Sequence, residues 1–266
     1  MKKRRYAVLF LTVSLLFCAC TKEVPVSETV AEEISLPTAA EETETVPMTT
    51  VPTLPIHSGL YHPDYTAEKI WEYFEEVILN VEYSSGTGDA TLVQKWCSPI
   101  GYRIYGSPTD EDLRVLNDLF ARLNQIPGFP GFYTAEAEGL EQLRISFLEP
   151  DIFRASYSSV VNGEEATGAT EFWYYTDTNE IHSARIGYRT DTDQSIRNSV
   201  LVEEIINTLG ISDTVLREDS ITYQYSDFNT SLSDVDWILL NLLYHPEIRC
   251  GMDADACAKV LPGLYH

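Results

Sequence analysis

The residues best suited to chemistry lie between positions 203 and 213. Glu203 and Asn207 are four residues apart on a predicted helix and therefore share one of its faces. Gly210 allows the chain to reverse direction, and Asp213 would then return toward the same point. Three oxygen ligands suit calcium, magnesium or manganese better than zinc, because zinc proteases use histidine nitrogens. The spacing predicts a candidate metal site formed by Glu203, Asn207 and Asp213.

The same stretch resembles the long zinc signature of the metzincin metalloproteases, His-Glu-x-x-His-x-x-Gly-x-x-His or Asp. The resemblance implies that Glu203, Asn207 and Asp213 occupy the ligand positions and that Glu204 occupies the position of the general base. Both helix histidines are replaced here. Without a bound metal, Glu204 has no activated water to deprotonate. We therefore expect no cofactor and no catalysis, and zinc or another divalent cation only if the site is active.

Two later segments also resemble parts of the metzincin fold. Residues 219–221 are similar to the start of the methionine turn beneath the metzincin metal, and Thr222 stands where the methionine would be. Ser233 and Asp236 can form an N-terminal cap for a following helix. The spacing of that helix is similar to the closing helix of matrix-type metzincins at Leu232, Asp236, Leu240, Leu243 and Tyr244.

Several short motifs are spread over about residues 91 to 261. They are Leu209-Gly210-Ile211, Asp219-Ser220-Ile221, Asp236, Leu243-Tyr244-His245-Pro246 and Gly251-Met252, and near the start Lys95-Trp96, Pro99-Ile100 and Gly106. With these motifs the chain resembles the bacterial family catalogued as domain of unknown function 2927. Members of that family commonly carry Glu-Glu where a metzincin has His-Glu, so the resemblance implies that ligand loss is a family trait.

The elements that must position these residues alternate between helix and strand. Apolar periodicity predicts helices over about 67–80, from a Thr109 cap to 124, and from a Ser195 cap to Leu209 before Gly210. Strands are predicted over 101–105 and 143–148, and a hairpin over 170–175 and 181–188. The pattern predicts an α/β (α+β) fold. With the metzincin resemblance, we expect a zincin-like twisted mixed sheet packed on helices, with a helical C-terminal part.

The N-terminal residues predict export and a lipid anchor. Four basic residues, 2–5, precede an apolar run over 7–17 that ends in Cys18, Ala19 and Cys20, which is typical of a signal peptide. The end of the run resembles a bacterial lipobox, and Cys20 is the expected lipidation site because small Ala19 precedes it. The alternative is ordinary cleavage that leaves a soluble protein.

Three segments follow from this organisation. Residues 1–19 are predicted to be a lipoprotein signal peptide, and residues 20–57 the anchor and a disordered tether rich in Thr, Pro and Glu. Residues 58–266 have the length and aromatic content of one domain. We expect this domain to be held at the cell membrane on the extracytoplasmic face.

Charge and cysteine content limit the partners and the cross-links. The chain has 18 Lys and Arg against 41 Asp and Glu, a net charge of −23, which excludes a phosphate-binding basic surface and hence nucleic acid. Beyond the anchor, Cys97, Cys250 and Cys257 form an odd set, so at most one internal disulfide forms. Spacing leaves Cys250 with Cys257 and Cys250 with Cys97 both open.

Three functions fit these observations. The first is a non-catalytic lipoprotein that binds or scaffolds a peptide or cell-envelope component, with strand addition at a sheet edge as the binding mode. The second is a metal-dependent peptidase with unusual oxygen ligands and Glu204 as general base. The third is a structural envelope component. We expect the first, with the membrane as a partner through the lipid anchor.

Overall fold

The computed structural model describes residues 60–79, 92–158, 166–225 and 228–265. All of them fall within one compact unit of the chain. The predicted signal peptide, the anchor Cys20 and the tether up to residue 57 lie outside the described residues. None of the helices described in these ranges is both long and apolar enough to cross a membrane.

Helices and strands alternate along the described residues. In chain order they are α1 Ala67–Val77, β1 Lys95–Trp96, β2 Ile100–Gly106, α2 Asp110–Leu123, β3 Phe132–Thr134, β4 Leu143–Leu148, α3 Pro150–Ser156, β5 Gly168–Tyr174, β6 Glu180–Arg189, α4 Gln194–Thr208, α5 Asp234–Tyr244 and α6 Ala254–Leu264.

The strands form one mixed sheet in the order β1-β6-β4-β2-β3, with β5 paired to β6. Every pairing is parallel except that of β5 with β6, which is antiparallel. The β5–β6 hairpin turns at Asn179, whose φ of 59° is the left-handed conformation that asparagine tolerates. A parallel sheet flanked by helices confirms the predicted mixed α/β class.

The predicted caps are confirmed at two helices. Thr109 and Asp112 form a capping box at the start of α2, and Ser233 and Asp236 form another at the start of α5. In each box the hydroxyl accepts from a backbone amide and the aspartate accepts in return, so two orphan amides are satisfied. These are local pairs three residues apart, which is why the sequence predicts them well.

Two predicted helix ends were wrong. Helix α4 has Asp193, not Ser195, at its N-cap, and Arg197 holds this end by donating to the Thr190 carbonyl at 3.0 Å. Helix α1 ends at Val77 rather than near residue 80. Its last carbonyl accepts the backbone amide of Ser212 at 2.8 Å, so a distant segment occupies the end of this helix.

Helix α4 runs through the core of the domain. Every residue from Ser199 to Thr208 is buried, which is expected for a helix covered on all sides. Aromatic side chains fix it to its neighbours: Tyr188 of β6 donates to the Leu201 carbonyl at 3.0 Å, and Trp96 of β1 donates to the Thr208 carbonyl at 2.8 Å. The candidate residues of α4 are therefore held between the sheet and other helices.

Candidate functional site

The polar residues of α4 are enclosed. The exposed fraction is 2% for Glu203, 0% for Glu204 and 9% for Asn207, and it is 8% for Asp213 in the following loop. Buried carboxylates are costly unless they are protonated, paired or hydrogen-bonded. These side chains are therefore held by specific neighbouring groups and do not form a solvent-exposed helix face.

Gly210 makes the turn that returns the chain to α4. Its φ of +95° is in the left-handed region, and a Cβ at this position would lie 2.0 Å from the carbonyl oxygen of Gln94. Only glycine fits such a close approach at positive φ. After this turn, the side-chain amide of Asn207 lies 3.4 Å from a carboxylate oxygen of Asp213. The structure thus brings two of the three predicted ligands together.

Glu204 is directed at β5. A Cβ added to Gly168 would lie 2.8 Å from its Oε1, so the absence of a side chain at Gly168 makes room for this carboxylate. The backbone carbonyl of Glu204 accepts the Thr170 hydroxyl at 3.1 Å. Both contacts are to the same strand. Glu204, which the sequence predicts as the general base of an active site, is therefore packed against β5.

The two glutamates share a tyrosine neighbour. Burial raises the pKa of Tyr188 well above its usual value of 10.0, and the negative charges of Glu204 and Glu203 raise it further. Burial also raises the pKa of Tyr157, with Glu204 again contributing. The interior beside α4 therefore disfavours additional negative charge and keeps both phenols protonated.

In the part of the chain that the structure describes, no group of three or more His, Cys, Asp or Glu is placed to hold an ion. The predicted set combined two carboxylates with an asparagine amide. Of that set, Asn207 donates to Asp213 at 3.4 Å, and Glu203 lies about one turn before Asn207 on the buried part of α4.

The loop that carries Asp213 and Thr222 is held by a buried glutamate of α1. Glu76 accepts the Thr214 hydroxyl and the Val215 amide, each at 2.6 Å. Thr222 is 2% exposed, and its carbonyl accepts the amide of Thr214 at 3.0 Å. The two ends of the loop are thus paired at Thr214 and Thr222.

Asp236 of α5 holds the same loop from the other side. Its Oδ1 accepts from Arg217 Nη2 at 2.5 Å and from the Ser220 hydroxyl at 2.7 Å. Its Oδ2 accepts the backbone amides of Ile221 at 3.1 Å and Ser233 at 2.9 Å. One buried carboxylate thus caps α5, pairs with a buried arginine and anchors the loop.

Sequence reasoning missed Glu76 and Arg217 as parts of this network. Glu76 stands in a run of glutamates on α1, and its partners are 138 or more residues away. The only local indication was its place next to the apolar stripe of α1, since Val77 and Phe74 are buried as well.

The geometry defines the class as a mixed α/β domain in which α4, buried from Ser199 to Thr208, carries a polar cluster and is followed by a loop fixed by Glu76 and Asp236. The family model described as "Protein of unknown function (DUF2927)" matches residues 67–263. The chain belongs to this family, and the match extends the resemblance in sequence back to α1. No curated protein matches the chain.

Proposed function

We propose that this protein is a membrane-anchored extracytoplasmic lipoprotein with a degenerate metzincin-like domain. Its function in this proposal is non-catalytic binding or scaffolding of a peptide or cell-envelope component. The basic, apolar and Ala19-Cys20 pattern of the N-terminus supports the anchor. The acidic tether would then hold the domain away from the membrane.

The order of elements around α4 supports the metzincin-like part of the proposal. A long helix ends at Gly210, and the loop returns so that Asp213 lies beside Asn207. That loop continues past Thr222 and is fixed to the capped helix α5. The resemblance implies this sequence of helix, turn, loop and closing helix.

The observation that carries the non-catalytic part is the burial of Glu204. A general base must lie within hydrogen-bond reach of the water or substrate that it deprotonates. Glu204 is 0% exposed and is packed against Gly168 and Thr170. A carboxylate enclosed by the sheet and its own helix is not within reach of a water or substrate, so we infer that Glu204 contributes to packing and electrostatics and not to hydrolysis.

The proposed binding surface is the outer edge of β5. This strand pairs on one side with β6, and the Arg189 amide donates to the Thr167 carbonyl at 3.0 Å. Because hydrogen-bonded and non-hydrogen-bonded pairs alternate in an antiparallel ladder, the amides of Gly168, Thr170 and Phe172 point away from β6. Gly168 and Thr170 are buried, so the accessible part of this edge begins after Thr170 and contains the Phe172 amide. An extended peptide would add to this edge as a further antiparallel or parallel strand.

Two exposed aromatic side chains lie at the C-terminal end of β5 and just beyond it. Trp173 is 38% exposed and Tyr175 is 52% exposed. The Tyr175 ring lies 4.4 Å from the ring of His182, and the Arg185 guanidinium lies 5.9 Å from the Trp173 ring. Such rings supply contact area for alternate side chains of an added strand.

Amide hydrogen exchange tests this binding mode. Peptides derived from envelope proteins are first screened on the full chain by intrinsic fluorescence. A peptide that binds should slow exchange at the amide of Phe172, which lies on the partly exposed half of the strand. The amides of Ala169 and Glu171 already bond to β6 and should change little, so they are an internal control.

A matched pair of variants sharpens the test. Trp173→Ala should weaken peptide binding about tenfold, since exposed aromatic anchors carry much of an interface energy. Tyr133→Ala removes a side chain of similar exposure, 47%, from β3 at the opposite end of the sheet and should leave binding unchanged. Protection at β3 instead of β5, or equal effects of the two variants, would refute the edge-strand mode.

A metal-dependent peptidase remains the second candidate, because Asn207 and Asp213 meet after the Gly210 turn. This candidate predicts peptide turnover that depends on added divalent cation and is lost in Glu204→Gln. The substitution keeps the shape of the side chain but cannot accept a proton. Cation-dependent turnover that survives Glu204→Gln would eliminate Glu204 as the base.

A further inference from the structure

Two cysteines that are distant in sequence lie in contact. Cys97 directly follows β1, and Cys250 lies in the segment between α5 and α6. Their sulfur atoms are 2.9 Å apart, although the residues are separated by 153 positions. An S–S bond is about 2.05 Å long, so a small movement of either side chain would bring the two sulfurs to bonding distance.

Backbone pairs and a buried lysine hold the two segments together. The Val93 amide donates to the Met252 carbonyl, and the Gly251 amide donates to the Val93 carbonyl, each at 2.9 Å. The buried ammonium of Lys95 donates to the carbonyl of Leu243 at 2.8 Å and to that of Ile248. The fold itself therefore places Cys97 against Cys250.

The third cysteine of the domain is in a different environment. Cys257 lies on α6 and is 0% exposed, and burial raises the pKa of its thiol to about 11. Cys97, by contrast, is exposed, and Cys250 is half-buried. Oxidants therefore reach the Cys97–Cys250 pair before they reach Cys257.

We propose that Cys97 and Cys250 form an intrachain disulfide and that Cys257 remains a thiol. Each thiol loses a proton, the two sulfurs form one S–S bond, and the two electrons reduce the disulfide of a small-molecule or protein exchange partner to two thiols. The inference rests on the geometry of the two segments and does not depend on the proposed binding function.

The disulfide is structural rather than catalytic. Reactive dithiols have a cysteine with a lowered pKa, because the thiolate is the attacking species. Here desolvation, followed by the contact with the Cys250 thiol, raises the pKa of Cys97 to about 12. Once formed, the bond would join β1 of the sheet to the C-terminal segment and close a loop that contains most of the domain.

Peptide mapping assigns the bond. The purified full chain is incubated with glutathione disulfide under native conditions, blocked with an alkylating reagent, and cleaved on the N-terminal side of aspartate. This cleavage puts Cys97 in fragment 89–109, Cys250 in 236–252 and Cys257 in 255–266, whereas trypsin leaves the last two together. Fragments 89–109 and 236–252 are expected as one cross-linked species, and unlinked alkylated fragments or a link to 255–266 would overturn the proposal.

Thermal melting provides an independent test. Closing a loop of 153 residues restricts the unfolded chain, so a reducing agent should lower the Tm of the oxidised protein by on the order of 10 °C. Cys97→Ser and Cys250→Ser should melt at the reduced value with or without the reductant. Cys257→Ala is the matched control and should keep the full redox shift; a shift that persists in Cys97→Ser would contradict the assignment.

Discussion

Replacing Asp236 with asparagine tests the clamp that holds the loop after α4. Each carboxylate oxygen of Asp236 accepts two hydrogen bonds. One oxygen accepts from the Arg217 and Ser220 side chains, and the other accepts from the backbone amides of Ile221 and Ser233. The side chain introduced by Asp236→Asn has one oxygen and one NH₂ group. With the NH₂ group at Oδ2 it faces two backbone amides, and at Oδ1 it faces the Arg217 guanidinium; none of these can accept, and the Ser220 hydroxyl alone could accept after rotation.

The expected cost follows from the burial of the pair. Arg217 is 4% exposed and Asp236 is 6% exposed, so the substitution leaves a buried guanidinium whose remaining counter-charge is the exposed carboxylate of Asp219, at 3.5 Å. Removing one partner of a buried ion pair costs about 3–5 kcal/mol. For a domain of this size, the Tm should fall by on the order of 10 °C.

Urea unfolding followed by circular dichroism measures this loss. Asp234→Asn is the matched control, because Asp234 is in the same helical turn but is exposed. Removal of its charge should lower the free energy of unfolding by at most about 1 kcal/mol. Hydrogen exchange at the Ile221 amide should accelerate in Asp236→Asn but not in Asp234→Asn. A loss below about 1 kcal/mol, or equal losses in the two variants, would refute the argument that this carboxylate fixes the loop.

Three further predictions use matched substitutions. Gly210→Ala should destabilise the domain much more than Gly139→Ala in urea unfolding, because both have positive φ but only Gly210 would place a Cβ against a backbone oxygen, whereas Gly139 has open space. The folded pKa of Tyr188 is raised, so its contribution to stability is complete below pH 10 and is lost as pH rises toward that folded value. The stability difference between wild type and Tyr188→Phe should therefore shrink by about 1.4 kcal/mol between pH 9 and 11, and persistence of the full difference would contradict the shift. Cys20→Ser should abolish incorporation of labelled palmitate in a bacterial host while Cys18→Ser retains it, and the reverse result would move the anchor to Cys18.

Local patterns predicted much of the fold, and distant contacts account for the rest. The capping boxes at Thr109 and Ser233 depend on residues three positions apart, so the sequence was sufficient. The end of α1 was missed because Ser212, far along the chain, takes the carbonyl of Val77. The spacing on α4 suggested that Asp213 returns toward Asn207, but it did not indicate that Glu204 packs under β5, because helical periodicity does not show what covers a helix face.

The cysteines illustrate the same limit. Sequence spacing left two pairings open for Cys250, because a disulfide depends on three-dimensional proximity. Parallel pairing of β1 with β6 and the backbone bonds between the β1 segment and residues 251–252 bring Cys97 to Cys250. No local feature around either cysteine predicts those contacts.

Metal content is the most direct test of the central claim that this domain binds without catalysis. The purified full chain is analysed by inductively coupled plasma mass spectrometry, and its Tm is measured with chelator and with zinc, manganese or calcium. The account predicts no ion near stoichiometry and a Tm that none of these additions changes. An ion near one equivalent per chain, lost in Asp213→Ala but retained in the control Asp219→Ala on the same loop, would contradict the account and favour a metal-dependent peptidase.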